Sequence, residues 1–99
     1  MNVIKTKDAT TLTVALEGRL DTTTAPQLEG ELAPALDDIT ELVFDMSKLD
    51  YISSAGLRVL LSAQKKMNKQ GSMIVRHSNP DIMEIFDVTG FSDILTLEE

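Results

Sequence analysis

Two adjacent serines, Ser53 and Ser54, are the residues of this chain whose position best suits chemistry. They stand between a strand-like apolar run and an apolar helical stretch, so we expect them at the N-terminus of a helix. Unpaired backbone N–H groups and the positive end of the helix dipole favour negative charge there, and a phosphate on either serine would be tolerated. The residues alone favour plain N-capping instead, since serine is a preferred cap worth about 1 kcal/mol.

Other candidates for catalysis or metal binding are few. His77 is the single histidine, and no cysteine or second histidine stands at ligand spacing from it, so we predict a loop or surface residue. The five glycines are too scattered for a phosphate-binding loop, and the serines are not in a G-x-S-x-G elbow. Asp45 and Asp50 follow a predicted strand as a magnesium pair might, but solvated loop carboxylates fit better. We therefore expect that the protein is not an enzyme and that it has no metal site and no cofactor.

The composition limits the class of protein. The chain has 99 residues, no cysteine, and 9 Lys+Arg against 16 Asp+Glu, a net charge of −7. This length predicts one domain, and the 42% hydrophobic content is enough for a packed core without disulfides. The negative charge repels phosphate backbones and anionic lipids, so we expect no nucleic-acid or membrane partner. With no signal peptide or membrane-length apolar run, a cytoplasmic location is predicted.

Hydrophobic periodicity predicts two strands and a helix in the first part of the chain. The strands are predicted at residues 2–7 and 11–17, joined by a hairpin turn and therefore antiparallel. Apolar residues then recur at three- and four-residue steps, which predicts a helix over about residues 24–37. Thr24 and Gln27 have the spacing of a capping box at its start.

The remaining chain continues the alternation. Its predicted elements are a strand at 41–46, a helix from the serine pair to Gly71, a strand at 72–76, a helix from Asn79 to Gly90 and a short strand at 94–97. The run at 41–46 has the near-continuous apolar pattern of a central strand buried on both faces. This order predicts an α/β fold: a four- to five-stranded, mostly parallel sheet with an antiparallel N-terminal edge strand and about three main helices.

Three segments, Glu17–Asp21 (EGRLD), Asp45–Leu60 (DMSKLDYISSAGLRVL) and Phe86–Phe91 (FDVTGF), carry a family resemblance. Together, in this order and spacing, they resemble the STAS domain of anti-sigma factor antagonists. The resemblance covers nearly the whole chain and implies one STAS domain over residues 1–99.

The resemblance also implies a phosphorylation site. In that family a serine just before the central helix, two residues before a glycine, is phosphorylated by a partner that is both a serine kinase and an anti-sigma factor. Matched on Gly56, the acceptor is Ser54; Ser53, which stands where the family often has Asp, is the less likely acceptor, and Ala55 takes a second hydroxyl position. The unphosphorylated protein is expected to bind the kinase and free sigma factor, and phosphorylation to release the kinase. A metal-dependent serine phosphatase would reset the switch.

Two loops are expected to bind the partner, because both follow strands at the same end of a parallel sheet. The partner-binding candidates are Asp21, Thr22, Thr23, Thr24, Ser53, Ala55 and Gly56. Those in the first loop could equally cap the first helix, and both roles can hold together. Two other functions stay open: a STAS scaffold or regulatory subunit of a signalling or transport complex that is never phosphorylated, and a small-molecule or nucleotide-binding module.

Overall fold

Strands and helices alternate along residues 1–98, the part of the chain that this computed structural model describes. The elements are β1 (Asn2–Asp8), β2 (Thr11–Leu20), α1 (Ala25–Ala35), β3 (Glu41–Ile52), α2 (Ser54–Gln70), β4 (Ser72–Arg76), α3 (Pro80–Val88), a short 3₁₀ helix (Phe91–Asp93) and β5 (Leu97–Glu98). The predicted order of elements is therefore confirmed. The last residue of the predicted domain, Glu99, lies outside the described part.

The strands form one sheet in the order β1-β2-β3-β4-β5, which is also their order along the chain. β1 pairs antiparallel with β2, and each later pair is parallel and joined by a helical crossover. Successive right-handed crossovers that advance in one direction place their helices on the same face of the sheet. The predicted α/β fold with an antiparallel N-terminal edge strand is confirmed.

The buried apolar side chains form a single cluster between the sheet and the helices. From β3, Leu42 and Phe44 point into this cluster, and both are fully buried. On the opposite face of the same strand Glu41 is exposed and Asp45 is only partly buried. The prediction that this strand is buried on both faces holds on that opposite face only at Val43, which is 8% exposed, and is wrong for Glu41 and Asp45.

β3 runs to Ile52, six residues beyond its predicted end at Met46. Its inward side chains past that point are Met46, Leu49 and Ile52, a spacing of three. The register with β2 shifts twice over the same stretch, and each shift leaves two successive β3 residues pointing outward. Such β-bulges break the two-residue period of a strand, which is why the pattern stops early in the sequence. β2 likewise extends to Leu20 instead of residue 17.

The final strand is shorter than predicted. Residues 94–96 were predicted to be strand, but the amides of Ile94 and Leu95 both donate to the carbonyl of Phe91, which closes a tight turn. The turn carries Leu95 into the core, where it is 5% exposed. The chain joins the sheet only at Leu97, beside Val75 of β4.

A glycine sets the end of α2. α2 ends just before Gly71, as predicted, and the glycine is extended, with φ 171°. Glycine is required at position 71 because a Cβ there would overlap the carbonyl of Thr40.

Among the described residues, none of the helices is both long enough and apolar enough to cross a membrane.

Asn79 connects the start of α3 to the free edge of β3. β4 pairs with β3 only as far as Asp45, so the later β3 residues have no strand on that side. The Asn79 Nδ2 donates to the carbonyl of Leu49 at 3.1 Å, and its Oδ1 accepts from the amide of Ile82 at 2.8 Å. One side chain thus caps a helix and satisfies a strand carbonyl.

Substitutions of Asn79 separate these two contributions. Asn79→Ser keeps an N-cap acceptor but cannot reach Leu49, so we expect a loss of about 0.5–1.5 kcal/mol in the free energy of unfolding. Asn79→Ala loses both hydrogen bonds and should lose about 1–3 kcal/mol. Urea unfolding followed by circular dichroism measures both. Equal stability of the serine variant and the parent would show that the bond to Leu49 contributes nothing.

Candidate functional site

The two serines at the start of α2 have different environments. Ser53 is the N-cap, with φ −102° and ψ 175°, and its Oγ accepts from the amide of Gly56 at 3.4 Å. Its carbonyl accepts the amide of Leu57 at 2.9 Å. Ser54 is the first residue of the helix, its side chain is exposed, and within residues 1–98 its hydroxyl has no recorded hydrogen bond. The Ser53 hydroxyl is therefore engaged in the fold, whereas the Ser54 hydroxyl faces solvent.

The start of α2 is fixed directly on the end of β2. The amide of Ser53 donates to the carbonyl of Leu20 at 2.9 Å. At Gly56 a Cβ would stand 2.7 Å from the Cγ of Leu20, 2.9 Å from the Cγ1 of Ile52 and 3.0 Å from the Leu20 carbonyl. Leu20 is fully buried and has no freedom to retreat. The close approach requires glycine at position 56, and it sets where Ser54 lies.

Asp21 organises the loop that follows β2. Its Oδ1 accepts from the amides of Thr23 at 3.0 Å and Thr24 at 3.1 Å. The Thr24 hydroxyl accepts from the Asp21 amide at 2.9 Å and donates to the Arg19 carbonyl at 2.8 Å. The predicted capping box of Thr24 and Gln27 is wrong, because this hydroxyl faces the end of β2 and caps no helix amide. The carboxylate of Asp21 instead caps the turn at residues 22–24 that leads into α1.

The charge of Asp21 is held in place by its neighbours. Chiefly the hydrogen bond from the Thr24 amide lowers the pKa of Asp21, with the Thr23 amide, the Thr24 hydroxyl and the positive charge of Arg19 acting in the same direction. The Arg19 Nε lies 3.7 Å from the Asp21 Oδ2, and its guanidinium carbon lies 4.3 Å from the centre of the Tyr51 ring. Arg19 therefore joins the outer face of β3 to the Asp21 loop.

The two loops meet at a groove between α1 and α2, with a volume of about 530 Å³. Thr22 borders it from the first loop and Ala55 from the second. The groove is lined by Thr22, Ala25, Pro26, Glu29, Gly30, Ala33, Ala55, Arg58 and Val59. Arg58 did not emerge from the sequence as a candidate, although its place four residues after Ser54 would have put both on one helix face.

The structure brings all the predicted partner-binding residues to one end of the parallel strands, the end where β2 and β3 finish, and their side chains differ in exposure. Thr22, Thr23 and Ser54 are exposed, whereas Asp21, Thr24, Ser53 and Ala55 are partly buried. Gly56 is buried. Its place in the site is to let the helix approach β2.

The other candidates from the sequence lie elsewhere. His77 is exposed just after β4, as predicted, with a left-handed φ of 63°. Asp45 and Asp50 lie within β3 instead of in a loop after it, and Asp45 accepts from the amide of Ser47 at 3.0 Å. Within residues 1–98, no three His, Cys, Asp or Glu side chains are grouped as a metal site would need.

Comparison with known proteins places this geometry in a family. The family model of the STAS domain matches residues 2–99. BtrV of Bordetella bronchiseptica, a proposed anti-sigma factor antagonist, is 40% identical over 85 residues, which cover 84% of this chain and 73% of BtrV. An anti-sigma-B factor antagonist of Bacillus subtilis is 28% identical over 98 residues, 98% of this chain and 90% of that protein.

A solved structure shows the same fold. The Bacillus cell fate determinant SpoIIAA, in its phosphorylated form, superposes with a TM-score of 0.77 at 17% identity. The match covers 97% of this chain and 90% of the SpoIIAA chain.

Gly56→Ala tests the contact between α2 and β2. The added methyl must displace buried atoms of Leu20 and Ile52, which costs about 1–3 kcal/mol, partly offset by the better helix propensity of alanine. We expect a net loss of unfolding free energy by urea denaturation. Gly30→Ala in α1 is the matched control, because nothing lies within 4 Å of its Cβ, and it should gain about 0.5–1 kcal/mol. An equal gain in both variants would contradict the close approach.

Asp21→Asn tests the charged cap through pH. Because the folded pKa of Asp21 lies below its unfolded value, the unfolded chain takes up this proton first as pH falls. The carboxylate therefore stabilises the fold above about pH 4, and that stability is lost as pH drops through the folded pKa. The asparagine of the variant does not titrate, so its unfolding free energy should fall less steeply than that of the parent between about pH 5 and 3. Parallel curves for parent and variant would remove the charged cap from the account.

Proposed function

The chain belongs to the STAS domain family, and we propose that it is an anti-sigma factor antagonist that works as a phosphorylatable, protein-binding switch. In its unphosphorylated form it binds an anti-sigma factor that is a serine kinase, and sigma factor is thereby freed. Phosphorylation of Ser54 releases the kinase. The Bacillus subtilis relative is an anti-sigma-B factor antagonist, and SpoIIAA is a protein of this fold with a phosphorylated form, which supports the proposal.

The contrast between the two serines carries the assignment of the acceptor. An acceptor hydroxyl must leave its own structure and enter the active site of a kinase. Ser54 is exposed, whereas Ser53 is partly buried and its Oγ holds the amide of Gly56. Modifying Ser53 would break the cap of α2, so Ser54 is the acceptor that the fold can supply without loss.

The chemical step needs only a hydroxyl from this chain. The Ser54 Oγ attacks the γ-phosphorus of ATP bound in the kinase, an O–P bond forms, and the bond to the β–γ bridging oxygen breaks, releasing ADP. The hydroxyl proton passes to a base of the kinase, which also holds the magnesium. The phosphate is removed by a different reaction: a metal-dependent serine phosphatase directs water at phosphorus, which restores the hydroxyl and releases inorganic phosphate.

The added charge accounts for release. A phosphate brings about −1.5 to −2 charges to a surface that a partner must cover closely. Burying it without a matching cation is costly, since the desolvation of the dianion is not recovered. The exposed Thr22 borders the same groove as Ala55, the neighbour of Ser54 at the start of α2, so a partner that contacts both loops there also covers Ser54.

Ser54→Ala and Ser53→Ala are the variants that decide the acceptor. Incubated with ATP and the serine-kinase anti-sigma factor of the same organism, the parent should gain the mass of one phosphate. Ser53→Ala should gain it too, although with a weakened cap, and Ser54→Ala should gain none. The phosphorylated parent should bind the kinase at least about tenfold more weakly than the unmodified parent, by calorimetry.

A control for folding accompanies these assays, namely unfolding curves of both variants. A mass gain that survives Ser54→Ala would move the acceptor elsewhere. No gain in the parent, together with stable binding of the partner, would identify a scaffold that is never phosphorylated. Binding of nucleotide by the isolated chain would favour a ligand-binding module.

A further inference from the structure

Arg58 carries a positive charge that the unmodified fold leaves unmatched. The other two arginines each lie beside a carboxylate, Arg19 at 3.7 Å from Asp21 and Arg76 at 3.2 Å from Glu98. Within the described residues, no ion pair and no side-chain hydrogen bond is recorded for Arg58, and its side chain is exposed. Its charge is therefore available to a group that arrives later.

The helix directs Arg58 toward Ser54. The two residues are four apart on α2, and residues at that spacing are neighbours on one helix face, with Cβ atoms about 5–6 Å apart. Side chains of a helix lean toward its N-terminus, so an arginine as long as Arg58 can reach back over the turn that contains Ser54. A guanidinium also offers paired N–H donors that match phosphate oxygens.

Two carboxylates, those of Glu29 and Asp21, are the candidates to compete with a phosphate for Arg58. Glu29 of α1 lines the same groove, but no ion pair joins it to Arg58. The Asp21 carboxylate is already occupied by the amides of Thr23 and Thr24. A phosphate carries more charge than either carboxylate and would stand on the same helix face as Arg58, so it outcompetes both.

We infer that Arg58 is the internal counter-charge of a phosphate on Ser54, pairing with it one helical turn away. This inference rests on the proposed function, in which Ser54 is the phosphorylated residue. In the unmodified chain Arg58 borders the groove and is free to contact an acidic group of the partner. After modification the phosphate engages it. Phosphorylation then alters the surface twice, adding an anion and withdrawing a cation.

The pair can be tested on the full chain with phosphoserine installed at position 54 during translation, so that no kinase is needed. The second ionisation of the phosphate, which occurs near pH 6 in the absence of neighbours, is followed by ³¹P NMR. A nearby cation favours the dianion, so the midpoint of this ionisation in Arg58→Met should move upward by roughly 0.15 to 0.4 pH units at low salt. Added salt should shrink that difference.

Two further variants serve as controls. Lys65→Met removes the same charge from an exposed position farther along α2 and should leave the midpoint nearly where it is in the parent. In Arg58→Lys the midpoint should lie between those of the parent and Arg58→Met, since lysine keeps the charge without the paired donors.

Each result has one meaning for the pair. The same midpoint in Arg58→Met and the parent overturns the inference, and so does an equal rise in Lys65→Met, which would reflect net charge alone. Failure of a kinase to modify Ser54 would overturn the proposed function while leaving this titration unaffected.

Discussion

The site depends on one hydrogen bond and one close contact at the end of β2. The carbonyl of Leu20 accepts the amide of Ser53, and the Leu20 side chain and carbonyl fill the space where Gly56 would carry a Cβ. The next residue, Asp21, caps the turn into α1. The last residue of β2 and the residue that follows it thus hold the chain where it enters two helices. Any shift of β2 would move the Ser54 hydroxyl and the threonine loop together, so the surface offered to a partner is set by the sheet.

Most of the fold could be predicted from the sequence because its periodicity is regular. The predictions of α2, from its amphipathic period, and of the hairpin of β1 and β2 were correct for that reason. The far half of β3 was missed because two bulges change the spacing of Met46, Leu49 and Ile52 from two to three. Burial of β3 on both faces was overestimated because the run of apolar residues at 41–46 does not show which face of the sheet the helices cover.

The candidate site was predictable to the level of the loop but not of its hydrogen bonds. Serine at a helix start is visible in the sequence, and so is the glycine two residues after Ser54. The serine whose hydroxyl caps the helix is decided by the backbone angles. These place Ser53 in the extended region, as the cap residue. Capping by the loop that contains Asp21 was one of two roles left open, but the sequence assigned the cap itself to Thr24 with Gln27, and the fold turned the Thr24 hydroxyl toward the Arg19 carbonyl instead.

The net charge of −7 says little about the surface around Ser54. There the Asp21 carboxylate is bound by two amides and lies beside Arg19, while Arg58 has no carboxylate partner among the described residues. The local field is consequently less negative than the total charge implies, and screening at physiological salt confines its influence to about 8 Å. A single phosphate is then the largest charge within that distance. It can make the surface that a partner meets more negative, without any change in the backbone that presents it.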